Sequence, residues 1–329
     1  LAWDKEFVMT IQRNRTMALA VAVVAGLLAP ATAQASPAQD CREVALPSPG
    51  TNSTVNGGDP TGRYLVGDVS YPDRRAGALW RDGRFSEIDD SSLTKIQIFY
   101  HDVNSRGVVV GERMTDYSSF HTDAFTYRDG RFTLLPPLVA GDDTQALAIN
   151  SRGDVVGVSA LTPVVWPANR PGTVRVVTMP DGQPANGRVL DIDDDGTMVG
   201  YLAPYPPGTP YVWPAGGRPH PLAIPAGSIG GTANGIRLGM VAGNVFDGDS
   251  TVPALWNLRT GKVTLYKDTD AGGAFSVNSR GTLGGFGALV HKDGRVVATS
   301  AGAPVIVVTD SGAAAGTLPG DQAVRWVGC

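Results

Sequence analysis

One short block recurs along this chain and restricts its fold more than any other feature. It reads Val103-Asn104-Ser105-Arg106-Gly107, Ile149-Asn150-Ser151-Arg152-Gly153 and Val277-Asn278-Ser279-Arg280-Gly281. After each block comes a short β-branched run that ends in glycine. The closing glycine appears seven times, as Gly67, Gly111, Gly157, Gly200, Gly243, Gly285 and Gly316, at steps of 44, 46, 43, 43, 42 and 31 residues. A second half repeats in phase as Ala78-Leu79-Trp80, Ala124-Phe125-Thr126-Tyr127, Val164-Val165-Trp166, Tyr211-Val212-Trp213 and Ala254-Leu255-Trp256, with weaker forms at Ala288-Leu289-Val290 and Val324-Arg325-Trp326. Repeats of about 40 residues made of short strands and tight turns specify a β-propeller.

Each copy divides into four strands, A to D. Asn tolerates left-handed backbone and Gly adopts it freely, so Asn-x-Arg-Gly is read as the A–B turn. Asp82-Gly83, Asp129-Gly130 and Asp293-Gly294 are read as C–D hairpin turns. Five of the six tryptophans share the strand C position, which marks them as blade core rather than ligand platforms. The expectation is an all-β, seven-bladed propeller of four-stranded antiparallel blades.

The repeat phase also predicts how the ring closes. Arg42-Glu43-Val44-Ala45-Leu46 aligns with D strands such as Arg131 to Leu135, and the C-terminal Ala323 to Val327 aligns with C strands. Strand 42–46 should therefore complete the last blade. The only two cysteines, Cys41 and Cys329, fall where other blades carry their Asp-Gly turn, which predicts a disulfide between them. Its chain-entropy stabilisation is about 5 kcal/mol at most.

Residues 9–35 read as a secretory signal peptide: Arg13 and Arg15, an apolar run from Met17 to Leu28, and Ala33-Gln34-Ala35 before cleavage at Ser36. Residues 1–8 are upstream sequence, and 36–329 form one propeller domain. The run is too short for a membrane span. Beyond residue 35 the chain has 24 basic and 29 acidic side chains, a net charge of −5. No basic stripe tracks a phosphate backbone, which argues against nucleic acid. A secreted, extracellular monomer is expected.

The block Ala146-Leu147-Ala148-Ile149-Asn150-Ser151-Arg152-Gly153-Asp154-Val155-Val156-Gly157, with Asp123-Ala124-Phe125 before it, resembles the extracellular HAF-repeat family. Asp123 stands where that pattern has histidine, and other copies replace its phenylalanine. The resemblance implies a secreted, propeller-like protein and supplies no catalytic residues.

Few residue patterns point to chemistry. Asp191-Ile192-Asp193-Asp194-Asp195-Gly196 spaces Asp191, Asp193 and Asp195 as calcium loops do, but it occupies the repeated turn, and Leu202 stands where the bidentate carboxylate of an EF-hand belongs. An acidic turn is the reading preferred over a calcium site, so no metal and no cofactor is assigned. His101, His121, His220 and His291 show no metal-ligand spacing, and no nucleophile elbow or phosphate loop is present.

What varies between copies is the D–A and B–C loops, which share one face. They carry the candidate ligand-binding residues Tyr71, Arg74, Arg113, Tyr117, His121 and Tyr205, aromatics beside charges that suit a glycan, a cell-wall polymer or an exported protein. The opposite face, built of repeated turns, is expected to be uniform. The leading expectation is a non-catalytic binding or scaffold propeller. The alternative is a polysaccharide hydrolase or lyase in which Asp116, Asp247 or Glu112 works with His121 around a central pocket.

Overall fold

The structure is a computed structural model of the chain. It describes residues 41–329 apart from 204–206, 249, 268, 270 and 301. The leader expected at 9–35 and the candidate Tyr205 lie outside the described residues.

Strand β1 (Arg42–Ala45) opens the described chain. Blade I is β2 (Asn52–Gly58), β3 (Tyr64–Ser70), β4 (Arg75–Arg81) and β5 (Arg84–Ile88); blade II is β6 (Gln97–Val103), β7 (Val109–Asp116), β8 (His121–Arg128) and β9 (Arg131–Leu134). Blade III is β10 (Thr144–Ile149), β11 (Val155–Ser159), β12 (Thr162–Trp166) and β13 (Arg175–Val176); blade IV is β14 (Gly187–Ile192), β15 (Met198–Leu202), β16 (Thr209–Trp213) and β17 (His220–Pro221). Blade V is β18 (Gly230–Arg237), β19 (Met240–Asp247), β20 (Ser250–Asn257) and β21 (Lys262–Leu265); blade VI is β22 (Ser276–Val277), β23 (Leu283–Gly284), β24 (Ala288–Val290) and β25 (Val296–Ala298). Blade VII takes β26 (Val305–Val308), β27 (Ala314–Leu318) and β28 (Gln322–Val327), and β1 completes it.

All pairings within the blades are antiparallel, and β1 pairs with β28 from Arg42↔Val327 to Ala45↔Val324. The Cys41–Cys329 disulfide joins the residue before β1 to the C-terminal residue at that seam. Ring closure thus follows the repeat phase read from the sequence.

The core lies between blades. Seven apolar clusters each mix residues of two neighbouring blades, for example Leu65 and Trp80 of blade I with Val307 and Ala323 of blade VII, or Val199 of blade IV with Trp256 of blade V. Burial on both faces explains why the strands read as continuous β-branched runs instead of alternating ones. The repeated tryptophans Trp80, Trp166, Trp213, Trp256 and Trp326 are at most 3% exposed. Three of them also donate their indole N–H to a carbonyl at the end of the preceding blade: Trp80 to Pro47, Trp166 to Pro136 and Trp256 to Ala223.

Every interface carries a polar tie as well. Asn104 Nδ2 donates to Asn150 O, Asn150 Nδ2 to Asp193 O, and Asn278 Nδ2 to Thr309 O. The Asp193 carboxylate accepts from Gly239 N, and Pro60 O accepts from Asp310 N. The two remaining interfaces are tied by Asn56 Nδ2 to Tyr100 O and Asn234 Nδ2 to Ala274 O. The turn asparagine therefore has two tasks. Its Oδ1 holds its own turn, as Asn150 does by accepting from Arg152 N and Asp154 N, and its Nδ2 reaches the next blade.

Asp82-Gly83 and Asp129-Gly130 have positive φ at both residues, 52° and 75°, then 49° and 83°, as a type I′ hairpin requires. At Asp293-Gly294 only the glycine, at 92°, is left-handed, so that link is a different turn. Blade V replaces the Asn-x-Arg-Gly turn with Leu238-Gly239, both left-handed.

Candidate functional site

Antiparallel blades put the D–A and B–C loops on one face and the A–B and C–D turns on the other. The described candidates Tyr71, Arg74, Arg113, Tyr117 and His121 lie at the loop end of blades I and II. In the β3–β4 loop the Arg74 guanidinium lies 4.1 Å from the Tyr71 ring centre and forks onto Glu87 of β5 at 2.7 and 3.0 Å, while Tyr71 OH donates to Glu87 at 2.7 Å. Hydrogen bonding from Arg74 holds the Glu87 carboxyl below the usual carboxylate range.

In blade II, Arg113 Nε and Nη2 donate to Asp123 Oδ2 at 3.1 and 2.9 Å, and Nη1 donates to Thr94 O. His121 lies between two carboxylates, 3.3 Å from Asp123 and 2.8 Å from Asp143. Arg113 and His121 are thus brought together through Asp123. At the tip of the β7–β8 hairpin the Asp116 carboxylate accepts from Ser118 N, Ser118 Oγ and Ser119 Oγ, bonds that hold it below its usual range. That cap fixes a tip on which Tyr117 is 61% and Phe120 49% exposed, Phe120 with φ of 55°.

Sequence reasoning missed the exposed aliphatic residues of the loop face. Among the described residues, nine large apolar side chains are exposed. Six of them belong to D–A or B–C loops: Ile96, Tyr117, Phe120, Val139, Leu161 and Ile229. The available signal was an apolar residue inside a turn-rich loop, such as Ala160-Leu161, where Ala160 has φ of 51°.

Asp116 stands opposite His121 in the β7–β8 register, but His121 meets the carboxylates of Asp123 and Asp143 and none of the acids considered for catalysis. Asp116 caps its own hairpin, Asp247 pairs with Lys267 at 3.1 Å, and Glu112 is buried against His101 at 2.6 Å. Burial alone would push the His101 imidazole down, but the Glu112 carboxylate outweighs it and holds the imidazole above its ordinary value.

The turn face is not uniform. Six A strands carry a β-bulge at the same place, with Asn56, His101, Leu147, Leu190, Asn234 and Ile306 as the extra residues. Most of these line an axial cavity of about 240 Å³ at the turn end, together with Asp102, Asp191, Asp193 and Asp194. Asp102 accepts from Val103 N and Ile149 N, and Asp191 from Ile192 N and Ile236 N. Both carboxylates thus bind backbone groups of their own and the next blade. Asp193 takes Gly239 N and Asp195 takes Thr197 N, so each acid of the Asp191–Asp195 run serves the fold, as an acidic turn does. Arg237 spans this end of the axis, 2.6 Å from Asp194 of blade IV and 2.8 Å from Asp310 of blade VII.

Burial, with the charge of Asp191 second, pushes the Asp102 carboxyl up to about 8; burial also lifts Asp191 to about 6. A carboxyl raised in the folded state binds its proton more tightly there than when unfolded. Its stabilising contribution is complete below the ordinary value near 4 and is lost as pH rises to the folded value. The expected result is a melting temperature that falls from pH 6 to pH 9, with a shallower fall in Asp102→Asn. Equal slopes in the two proteins would show that Asp102 does not titrate in that window.

No protein-family model matches the chain, and no curated protein is similar to it. Solved structures are. Virginiamycin B lyase from Staphylococcus aureus is 12% identical, covering 87% of this chain and 98% of that one, with a TM-score of 0.55. A catalytically inactive form of that lyase with Quinupristin is 12% identical over 87% and 99%, with a TM-score of 0.57. YCF48 from Cyanidioschyzon merolae is 12% identical over 86% and 98%, with a TM-score of 0.52. At this identity the likeness is one of propeller fold, which hosts both enzymes and binding proteins.

Proposed function

We propose that this chain is a secreted, non-catalytic binding propeller of the HAF-repeat kind, and that the loop face of blades II and III docks another exported protein. One observation carries the reading: the exposed apolar side chains Ile96, Tyr117, Phe120, Val139 and Leu161 lie on D–A and B–C loops of blades II and III, where Asp116 fixes the β7–β8 tip. Aromatic anchors ringed by aliphatic and charged groups suit a protein surface. The aliphatics Ile96, Val139 and Leu161 favour a polypeptide over a glycan or wall polymer, whose hydroxyls would leave them unmatched. A tip held rigid before binding lowers the entropy lost on association. The disulfide suits an oxidising compartment, and no helix among the described residues is long and apolar enough to cross a membrane.

The double variant Tyr117→Ala, Phe120→Ala should keep the wild-type melting temperature within about 1 °C, because both side chains are exposed. Each truncation at a binding anchor costs about 2 kcal/mol or more, roughly 30-fold in affinity. Proteins from the culture medium retained by the immobilised wild type should be lost from the variant. Equal retention by both, or retention only on insoluble polysaccharide, would contradict a protein-docking tip.

The second reading, a polysaccharide hydrolase or lyase, draws on the Asp102 and Asp191 carboxyls beside one cavity. Their backbone hydrogen bonds to two blades each favour a structural role. New reducing ends or unsaturated products released from a polysaccharide by the wild type, and not by Asp191→Asn, would favour the enzyme.

A further inference from the structure

Two hollows on the turn face repeat each other, one between blades III and IV and one between blades VI and VII. The first, about 630 Å³, is lined by Arg152, Asp154, Ala168 and Gly196 among others. The second, about 800 Å³, has Arg280, Thr282, Lys292 and Gly312 at the same four positions of the repeat. The bonds around them repeat too. Asn150 Nδ2 donates to Asp193 O as Asn278 Nδ2 does to Thr309 O, and Ser151 N donates to Asp194 Oδ1 as Ser279 N does to Asp310 Oδ1. Arg152 Nη2 and Arg280 Nη2 each lie 2.9 Å from a Cβ built on the glycine of the next turn. Ala168 Cβ and Lys292 Cβ each lie 3.5 Å from one built on Gly153 and Gly281. The two arginines and the two neighbouring backbones are therefore posed alike.

One position differs. In the first hollow the Asp154 carboxylate uses both oxygens: Oδ2 accepts from Arg152 Nε at 3.0 Å, Arg152 Nη2 at 2.8 Å and Asn150 Nδ2 at 3.1 Å, and Oδ1 accepts from Ala168 N at 2.9 Å. In the second hollow the residue is Thr282, whose hydroxyl meets His291 Nδ1 at 3.3 Å. The Arg280 guanidinium and the Lys292 N–H then have no acceptor among the described residues. Asp293, the acid among the lining side chains, accepts from Arg295 N in its own turn. The donors that hold a carboxylate in one hollow thus recur in the other without one from the chain itself. Arg280 and Lys292 are exposed, so a solute reaches both. Hydrogen bonds from a guanidinium to a carboxylate are among the strong ones, and donors posed beforehand lose little freedom on binding.

We propose that the hollow between blades VI and VII is a binding subsite for a small organic carboxylate, whose carboxyl group takes the place that Asp154 fills between blades III and IV. One oxygen accepts from the Arg280 fork and the other from Lys292 N. Two oxygens in one plane, served from two sides, suit a carboxylate better than a tetrahedral phosphate. The subsite lies on the turn face, opposite the loops that carry the docking tip, and stands or falls independently of that tip.

The probe is acetate, the aspartate side chain freed of its backbone, titrated into the whole oxidised chain at pH 7. The NMR signals of the Lys292 amide and the Arg280 Nε–H are followed. Acetamide serves as the neutral control, sodium chloride as the ionic-strength control and inorganic phosphate as the competing anion. The expected result is a saturable shift of both signals with acetate, a weaker response to phosphate, and none to acetamide or chloride. Arg280→Met, at an exposed position that leaves the fold intact, should raise the acetate needed to half-shift the Lys292 amide by about tenfold or more. Thr282→Asp supplies the carboxylate from within, so its Lys292 amide should no longer respond to acetate. No shift in the wild type would overturn the proposal whatever the variants do. So would an equal shift with acetamide or chloride, a response to phosphate alone, or an undiminished response in Arg280→Met or Thr282→Asp.

Discussion

Gly157→Ala is expected to unfold blade III and, with it, the ring. Gly157 sits on β11 between Ala146 of β10 and Val164 of β12. A methyl group there would overlap the Gln145 carbonyl oxygen, and even the carbonyl carbon would be only 2.9 Å away. The obstacle is backbone held in a buried strand beside a bulge, so no side-chain rotation relieves it. The same overlap with a strand A carbonyl recurs at Gly67, Gly111, Gly200 and Gly243, and at Gly316 with the carbonyl of Pro304 just before β26. A glycine where two backbones approach this closely is obligatory rather than merely tolerated. The cost belongs to the exceptional class, about 4 kcal/mol or more. Gly130→Ala is the comparison: its φ is 83° but the space around it is open, so strain of about 1 kcal/mol is the whole effect. Denaturant unfolding of the two variants checks this. A Gly157→Ala midpoint close to that of Gly130→Ala would mean the A and B strands separate easily.

Cys329→Ser should produce the next largest loss. The disulfide links residues 288 apart, so it restricts nearly the whole described chain when unfolded. The chain-entropy relation gives about 5 kcal/mol for a loop of this size, or roughly a 10 °C fall in melting temperature. The four register pairs between β1 and β28, with Leu46 N donating to Ala323 O, still hold blade VII together. The variant should therefore fold, with β1 the first strand to exchange its amide hydrogens. Cys41→Ser and the double variant should match it, because the three lose one covalent link and not two. An unchanged melting temperature in Cys329→Ser would show that non-covalent pairing alone sets the stability of the seam.

Much of this fold could be read from the sequence because each repeat carries its own chemistry. The seven glycines mark close backbone approach, the tryptophans mark the buried C strand, and the turn asparagines mark A–B links. The arginine of that turn proves to have a task too. A Cβ at Gly196 would lie 2.9 Å from Arg152 Nη2, and one at Gly312 equally close to Arg280 Nη2, so two of these arginines lie over the glycine of the next turn. Phase alone located both cysteines at one seam. The bulges could not be read this way. They add one residue to strands buried on both faces, where no polar–apolar alternation exists for the extra residue to disturb. Without the bulges, the inward aim of His101 and Leu190, and the meeting of Asp102 with Asp191 from blades II and IV, had no sequence signal. The strand order puts Tyr71, Arg74, Arg113, Tyr117 and His121 at the loop end of their blades, but their pairing was not legible: Arg74 turns back onto Glu87, and Arg113 and His121 share Asp123, through contacts set by loop conformation.

Site-specific photo-crosslinking in exporting cells would test the docking face most directly. A photoreactive residue replaces Phe120 at the hairpin tip in one protein and Arg106, exposed in an A–B turn, in another. The account predicts a discrete crosslinked species from position 120 that contains a second exported protein, and none from position 106. Crosslinks from position 106 alone, or none from position 120 in cells that export the protein at normal levels, would contradict it.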